Sequence, residues 1–351
     1  MSCARRSSGR APAALIAAAA CLALATAAFA APPEEDAAGL LRASIDASRS
    51  VSYIGQLETI RFSASKASAT IVRIEHRAPD RTRRWYLAPE SLYGDYIITR
   101  STTTWQFDTR RERVTMSSNP LLDVSLAAGN TLELLYANYR AVPSGGEIVA
   151  GRPTTSLVLI NKYTGERVAR IWIDSQTKLV LRKETFHADG SIATASRFEE
   201  LRYTEKIPDD IFSTNVPDGY TQVTEAEREA PSLDLESVTR EAGFKPASPA
   251  DLPEGFALVG SSVETVNGVK TVHLNYSDGL RTLSLFENAD GAEADFGLDK
   301  PRSISLGEDQ GKLVQRGSTT LIAWKEKQLT LMLIGDLSRA ELTRIAASVI
   351  P

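Results

Sequence analysis

The residues that could do chemistry are few and scattered. His76, His187 and His273 are all the histidines the chain has. Each falls in or at the end of a run with strand-like alternation. None has a second ligand at the spacing of His-Glu-x-x-His, and no cysteine pair or Asp/Glu/His cluster stands nearby, so each reads as an ordinary strand histidine and no metal site is assigned. Asp209-Asp210 and Glu199-Glu200 are adjacent carboxylates. Neighbours along a strand or turn point apart, whereas paired acid–base work needs carboxyls converging across ~5–10 Å, so these read as solvated charges. No Gly-x-Ser-x-Gly elbow, Walker loop or Gly-x-Gly-x-x-Gly stands between a strand and a helix, and hydrolase, NTPase and dinucleotide chemistry lack their parts. The chain reads as a binding protein with no catalytic residue and no cofactor.

Two kinds of binding chemistry remain. Arg77, Arg81, Arg83 and Arg84 lie in and after one hairpin turn, and Arg110, Arg111 and Arg113 at a later one. Guanidinium groups match phosphate and carboxylate geometry, which makes the first group a candidate for an anionic group such as a lipid phosphate. Asp80, Asp108 and Glu112 are interleaved, as on any solvated turn, and only a shared face would make the arginines one site. The second candidate is apolar. Trp85, Trp105, Phe107, Leu122, Leu132, Leu135, Tyr136 and Trp172 come from several strands and one helical stretch, and would line a cavity if a curved sheet wrapped round helices. A filled core uses the same residue types, so both readings stay open.

The elements that must hold these side chains are mostly strands. Leu40, Leu41 and Ile45 recur at helical spacing, and from Val51 the pattern changes to alternation, predicting one helix followed by strands at 53–62, 69–77, 82–87, 95–100, 103–108 and 113–116. Leu122, Leu126, Leu132, Leu135 and Tyr136 then fall on a helical face, broken near Gly129-Asn130, which predicts two short helices over 121–140. Gly- and Asp-rich turns separate further strands near 154–161, 167–173, 178–187 and 191–203. An acidic, Pro-interrupted stretch, 223–243, reads as a linker. Beyond it, Asn267-Gly268 and Asp278-Gly279 mark tight hairpins between strands at 259–266, 269–276 and 280–286. Strands follow near 312–316, 319–324 and 328–334, and Ser338 to Glu341 has the capping-box spacing of a terminal helix. The fold class is α+β in two domains, 31–222 and 244–351.

The start of the chain reads as an export signal. Arg5, Arg6 and Arg10 precede an uncharged Ala- and Leu-rich run that closes on Ala28-Phe29-Ala30, before the polar Pro32 to Asp36. These are the parts of a secretory signal peptide, 1–30, cleaved after Ala30, which places the mature chain in the periplasm. Cys21 as an acylation site is the weaker alternative, because no Leu precedes Ala18-Ala19-Ala20 and apolar sequence continues past it. Cys3 and Cys21 are the only cysteines, so the mature chain has no disulfide and depends on ordinary cores. Losing the leader removes three arginines and no acid, leaving 37 basic against 44 acidic residues, a formal charge of −7. Nucleic acid is excluded as a partner on that balance.

With these segments laid out, the chain resembles the MucB/RseB family of periplasmic regulators of an envelope-stress sigma factor, whose first domain is shared with the LolA and LolB lipoprotein carriers. The carrying residues are Tyr53-Ile54-Gly55, Arg73 to Arg77, Thr104 to Asp108, Val149 to Pro153 and Ile171 to Asp174. Leu252 to Phe256 and Tyr276 to Leu280, followed by Ser284-Leu285-Phe286, resemble the family's C-terminal domain, which a plain carrier lacks. The resemblance implies a half-open antiparallel β-barrel holding helices over an apolar concavity, then a small α+β domain. It also implies binding to the periplasmic region of a single-span anti-sigma factor, with lipid or lipoprotein acyl chains as the signal. The alternative is a periplasmic lipoprotein or lipid carrier of LolA type.

The export reading has a direct check. N-terminal sequencing of the native protein is expected to begin at Ala31; a retained Met1 or an acylated Cys21 contradicts it.

Overall fold

The computed structural model describes residues 34–62, 67–118, 129–187, 189–225, 232–266, 269–289, 294, 296–297, 299–307, 309–316 and 319–350. The expected leader, Leu122, the first of the two short helices and the Asn267-Gly268 turn lie outside the described residues. Among those described, no helix is long and apolar enough to cross a membrane.

Helix α1 (Glu34–Ser50) buries Ala37, Leu41 and Ile45, which at i, i+4 spacing form one stripe. The chain then runs through β1 (Tyr53–Phe62), β2 (Ala67–Arg77), β3 (Arg81–Ala88), β4 (Tyr96–Arg100), β5 (Thr103–Asp108) and β6 (Arg113–Ser118). After α2 (Gly129–Asn138) come β7 (Tyr139–Pro143), β8 (Ile148–Val149), β9 (Arg152–Asn161), β10 (Arg167–Asp174), β11 (Val180–Phe186), β12 (Ile192–Tyr203) and β13 (Thr221–Thr224). They form one sheet, ordered β13-β6-β5-β4-β3-β2-β1-β12-β11-β10-β9-β7 with β8 on β9. The first strand thus lies mid-sheet between two meanders, and the path is open. Only β13 runs parallel to its neighbour, β6. Helices α1 and α2 pack on β7, β9 and β10.

Tyr139 and Arg140, expected at the end of a helix, instead begin β7. Lys162 Nζ donates to the carbonyls of Tyr136 and Ala137 at 2.8 and 2.9 Å, satisfying two of the carbonyls that a helix end leaves free. Tyr139 then pairs with Asn161.

The second sheet is ordered β15-β16-β17-β21-β20-β19-β18, from β15 (Ala257–Val266), β16 (Val269–Ser277), β17 (Thr282–Asn288), β18 (Arg302–Leu306), β19 (Asp309–Arg316), β20 (Thr319–Glu326) and β21 (Leu329–Gly335). A two-stranded pair of β14 (Ser248–Pro249) and β22 (Val349–Ile350) stands beside it. Strand β18 was not anticipated from the pattern. On one face, α3 (Leu235–Ala242) and α4 (Arg339–Ala347) cover a core that includes Leu274, Leu285, Leu331, Leu333, Leu342 and Ile345. The capping box forms as expected: Glu341 N donates to Ser338 Oγ at 3.2 Å and Ser338 N to Glu341 Oε2 at 3.0 Å. The stretch 223–243 is not featureless. It holds α3, capped by Asp234 and closed by Gly243 at φ 84°. The single buried side chain of α3 is Val238, so the apolar signal was too sparse to mark a helix.

Glu287 is fully buried in this core. Its Oε2 accepts from Ala247 N at 2.7 Å, while Oε1 has no partner. Burial pushes its pKa up to about 8. A folded-state value above the unfolded one means stability is greatest below the ordinary value near 4.5 and is lost as pH rises to about 8. Glu287→Gln is expected to flatten that slope and to unfold at higher temperature than wild type at pH 8; thermal melts from pH 5 to 9 check this.

Candidate functional site

The structure distributes the seven described apolar candidates over three separate clusters. Leu135, with partly buried Leu132 and Tyr136, belongs to the core under α1 and α2, together with Ile171 and Ile173. Trp172, between those two isoleucines, belongs to a different cluster with Val149, Leu181 and Phe198. There it is sandwiched by guanidiniums, Arg170 Cζ at 4.5 Å and Arg182 Cζ at 4.3 Å from the ring. Phe107 and Trp105 pack with Ile98, Val114, Ile207 and Phe212, and Trp85 joins them by stacking on Tyr96, which stacks on Phe107 at 4.3 Å. Leu122 lies outside the described residues. No single cluster unites the seven described candidates, because strand alternation sends neighbouring residues to opposite faces.

The arginines also divide. Arg77 and Arg81 both bond Asp209, the latter at 2.7 Å, and Arg77 Nη1 donates to Ile207 O at 3.0 Å. Asp209, first read as a solvated charge, is what neutralises the pair. Arg83 lies over Trp85 and Tyr96 at 4.5 and 5.2 Å. Arg84 points to the opposite face: its charge acts on Tyr53 and His76. His76 and His273 behave as strand residues, and His187 lies just past the end of β11. Burial, then Arg84, lowers the His76 pKa against the opposing pull of Asp80, and its Nδ1 is 2.9 Å from Thr82 Oγ1. His273 stacks on Phe286 at 4.2 Å, with Nε2 3.0 Å from Ser284 Oγ. Among the described residues no group of three potential ligands could hold a metal ion.

The most constrained polar group joins the two sheets. Asp278, fully buried, accepts from Tyr139 OH at 2.6 Å and from Arg281 Nε at 2.9 Å through Oδ2. Its Oδ1 takes the amides of Leu280 and Arg281 at 3.0 and 2.7 Å. Asn138, the last residue of α2, donates to the carbonyls of Gly255 and Asp278 at 2.8 and 2.9 Å. Burial, then the Asp278 charge, holds the Tyr139 phenol far above its ordinary pKa. The expected two-residue Asp278-Gly279 turn is a four-residue loop between β16 and β17, because Asp278 folds back onto its own amides. Gly279, at φ +97°, lets that loop press on the backbone of Leu135, and Leu280 enters the helix-covered core of the first sheet.

Residues 36–216, just over half of the chain, match the sequence model of the MucB/RseB N-terminal domain. The chain belongs to the MucB/RseB family. Residues 246–349 match the model of a domain of unknown function. The sigma-E factor regulatory protein RseB of Haemophilus influenzae is 25% identical over 194 residues, 54% of this chain. The match spans 57% of that relative's length. Among solved structures, the Pseudomonas aeruginosa MucA/MucB complex aligns with a TM-score of 0.61 at 18% identity, over 90% of this chain and 99% of that one. MucB alone aligns at 0.54 and 17% identity, over 91% and 99%. These likenesses extend the shared fold of the family across both sheets.

A Cβ at Gly279 would lie 2.1 Å from Leu135 N, in a backbone conformation that costs an L-residue further strain. Gly279→Ala is expected to lower unfolding free energy by about 2 kcal/mol or more and to enlarge the radius of gyration as the sheets part. Urea unfolding and small-angle scattering read both; unchanged values would mean the junction does not hold the sheets together.

Proposed function

We propose that this chain is a non-enzymatic periplasmic regulator of an envelope-stress sigma factor that binds the periplasmic region of a membrane-anchored anti-sigma factor and responds to a lipid or lipoprotein signal. Family membership carries the reading, supported by a fold shared over nine-tenths of the chain with MucB of a MucA/MucB complex. In this reading, 31–222 is a half-open barrel that receives the signal and 244–351 is the partner-binding domain, with 223–243 between them. Binding of this kind needs no catalytic group. The carrier alternative keeps the first sheet as a lipid site and gives the second sheet a docking role only.

One surface suits a partner peptide. On the face of the second sheet away from α3 and α4, the cross-strand row His273–Phe286–Met332–Ala323 runs beside Ser284–Ile334, and Phe286, Met332 and Ile334 are only half-buried. The loop residue Phe296 covers the end of this face over Val314, Leu321 and Ala323. Half-exposed aromatic and methionine side chains are the residues that dominate protein–protein binding.

Recovery of a single-span partner from membranes by the full mature chain tests the reading. The double variant Phe286→Glu, Met332→Glu, if folded by circular dichroism, is expected to reduce recovery about tenfold or more. Undiminished recovery moves recognition elsewhere on the chain, and absence of any such partner with wild type favours the carrier.

A further inference from the structure

A sheet edge presents a row of backbone N–H and C=O groups to any strand that can pair with them, and natural chains usually cover it. The second sheet treats its two edges differently. At β15 the edge is occupied: Ser232 and Ser261 exchange backbone hydrogen bonds at 2.9 and 2.7 Å, Ser261 Oγ adds another to the Ser232 carbonyl, and α3 packs against the strand. At the other end stands β18, and among the described residues no strand pairs with its outer side.

The side chains along β18 alternate. Ile304 and Leu306 enter the core beneath α4, while Ser303 and Ser305 are exposed on the other parity and add little bulk to shield the edge. Arg302, of the same parity as Ile304, is exposed at the start of the strand. Between this edge and α4 runs an open groove of about 640 Å³, lined by Ser303, Ile304, Ser305, Arg339, Ala340 and Thr343. The lining holds a guanidinium and three hydroxyls and no carboxylate. Neither Arg302 nor Arg339 has an acidic partner among the described residues. The one acid of α4, Glu341, is engaged at the Ser338 amide, and Asp309 lies opposite Leu306, at the far end of the strand from Arg302.

We propose that the outer edge of β18 and the groove beside α4 receive an extended, acidic segment of another protein, which adds to the sheet as a further strand. The backbone edge selects an extended main chain, because only another strand matches its spacing of donors and acceptors. The length of β18 sets the paired segment at about five residues, roughly 17 Å. Arg302 and Arg339 select carboxylates on the side chains of that segment. Ala340, small and exposed, leaves room for a side chain of the added strand on the α4 side. Phe286 and Met332 lie on the face of the sheet away from α4, so this is a second docking surface and does not rest on the one proposed above.

The test follows binding of fluorescein-labelled peptides to the full mature chain by anisotropy. The probes are acetyl-Glu-Val-Glu-Val-Glu-amide, its counterpart with lysine for glutamate, and the acidic peptide N-methylated at two consecutive residues, which blocks both edges of a strand. The acidic peptide is expected to bind saturably, about tenfold tighter than the lysine peptide, and the N-methylated one not at all. Hydrogen exchange at residues 302–306 should slow when the acidic peptide is bound. Arg339→Glu should weaken it about fivefold or more, with Arg339→Lys keeping most of the affinity. Ala340→Phe, at an exposed helix position, should fill the groove and abolish binding. The double variant Phe286→Glu, Met332→Glu should bind the peptide as wild type does, which separates this surface from the other. Equal binding of acidic and basic peptides overturns the charge selection. Binding that survives N-methylation or Ala340→Phe overturns strand addition at this edge, as does the absence of saturable binding. A dimer of the mature chain that Ala340→Phe dissolves, seen by sedimentation, assigns the edge to a second copy and overturns the proposal.

Discussion

A carboxylate with no contact to water determines how the two sheets meet. Asp278 is held by a phenol from β7, a guanidinium from its own loop and two amides of that loop. A buried charge is tolerated only when each oxygen is hydrogen-bonded, and here both are. The partners come from both sheets, so the arrangement exists only when the sheets are docked. Asn138 adds two bonds to carbonyls of the second sheet's unit, which simultaneously ends α2 and lets Tyr139 enter β7. Helix end, strand start and sheet docking are therefore one event.

The first sheet follows from a second constraint, the two-residue period of a strand. Because β1 pairs with β12 on one side and β2 on the other, side chains separated by well over a hundred residues share a row. The parity of each charged residue along its strand sets which face it takes. On the face that carries Glu75 and Glu184 the ion pairs neutralise one another, and cation–π contacts from Arg83, Arg170 and Arg182 shield the aromatic rings.

The second sheet distributes its side chains on the same principle. Leucines of β16, β17 and β21 face α3 and α4 and fill the core, while the alternate row presents His273, Phe286 and Met332. Glu287 is the exception, a carboxyl turned into the core to hold the Ala247 amide on the approach to β14. The cost of such a group falls on stability.

What the sequence determined by itself is what local spacing encodes. The apolar stripe of α1, the strands from Tyr53 to Asp108, the Ser338–Glu341 capping box and the absence of catalytic spacing all depend on residues a few positions apart, and each was legible there. What only the tertiary structure decided depends on pairing between distant segments. Alternation within 103–108 or 167–174 shows that Trp105 or Trp172 faces away from its neighbours, but not which face α1 and α2 will cover. The sequence therefore grouped aromatic and aliphatic residues of which the fold divides the seven described, and grouped Arg84 with three arginines on the other side of the sheet. Asp278-Gly279 looked like a hairpin turn because that is its local chemistry; its burial came from Tyr139 and Asn138, some 140 residues earlier in the chain.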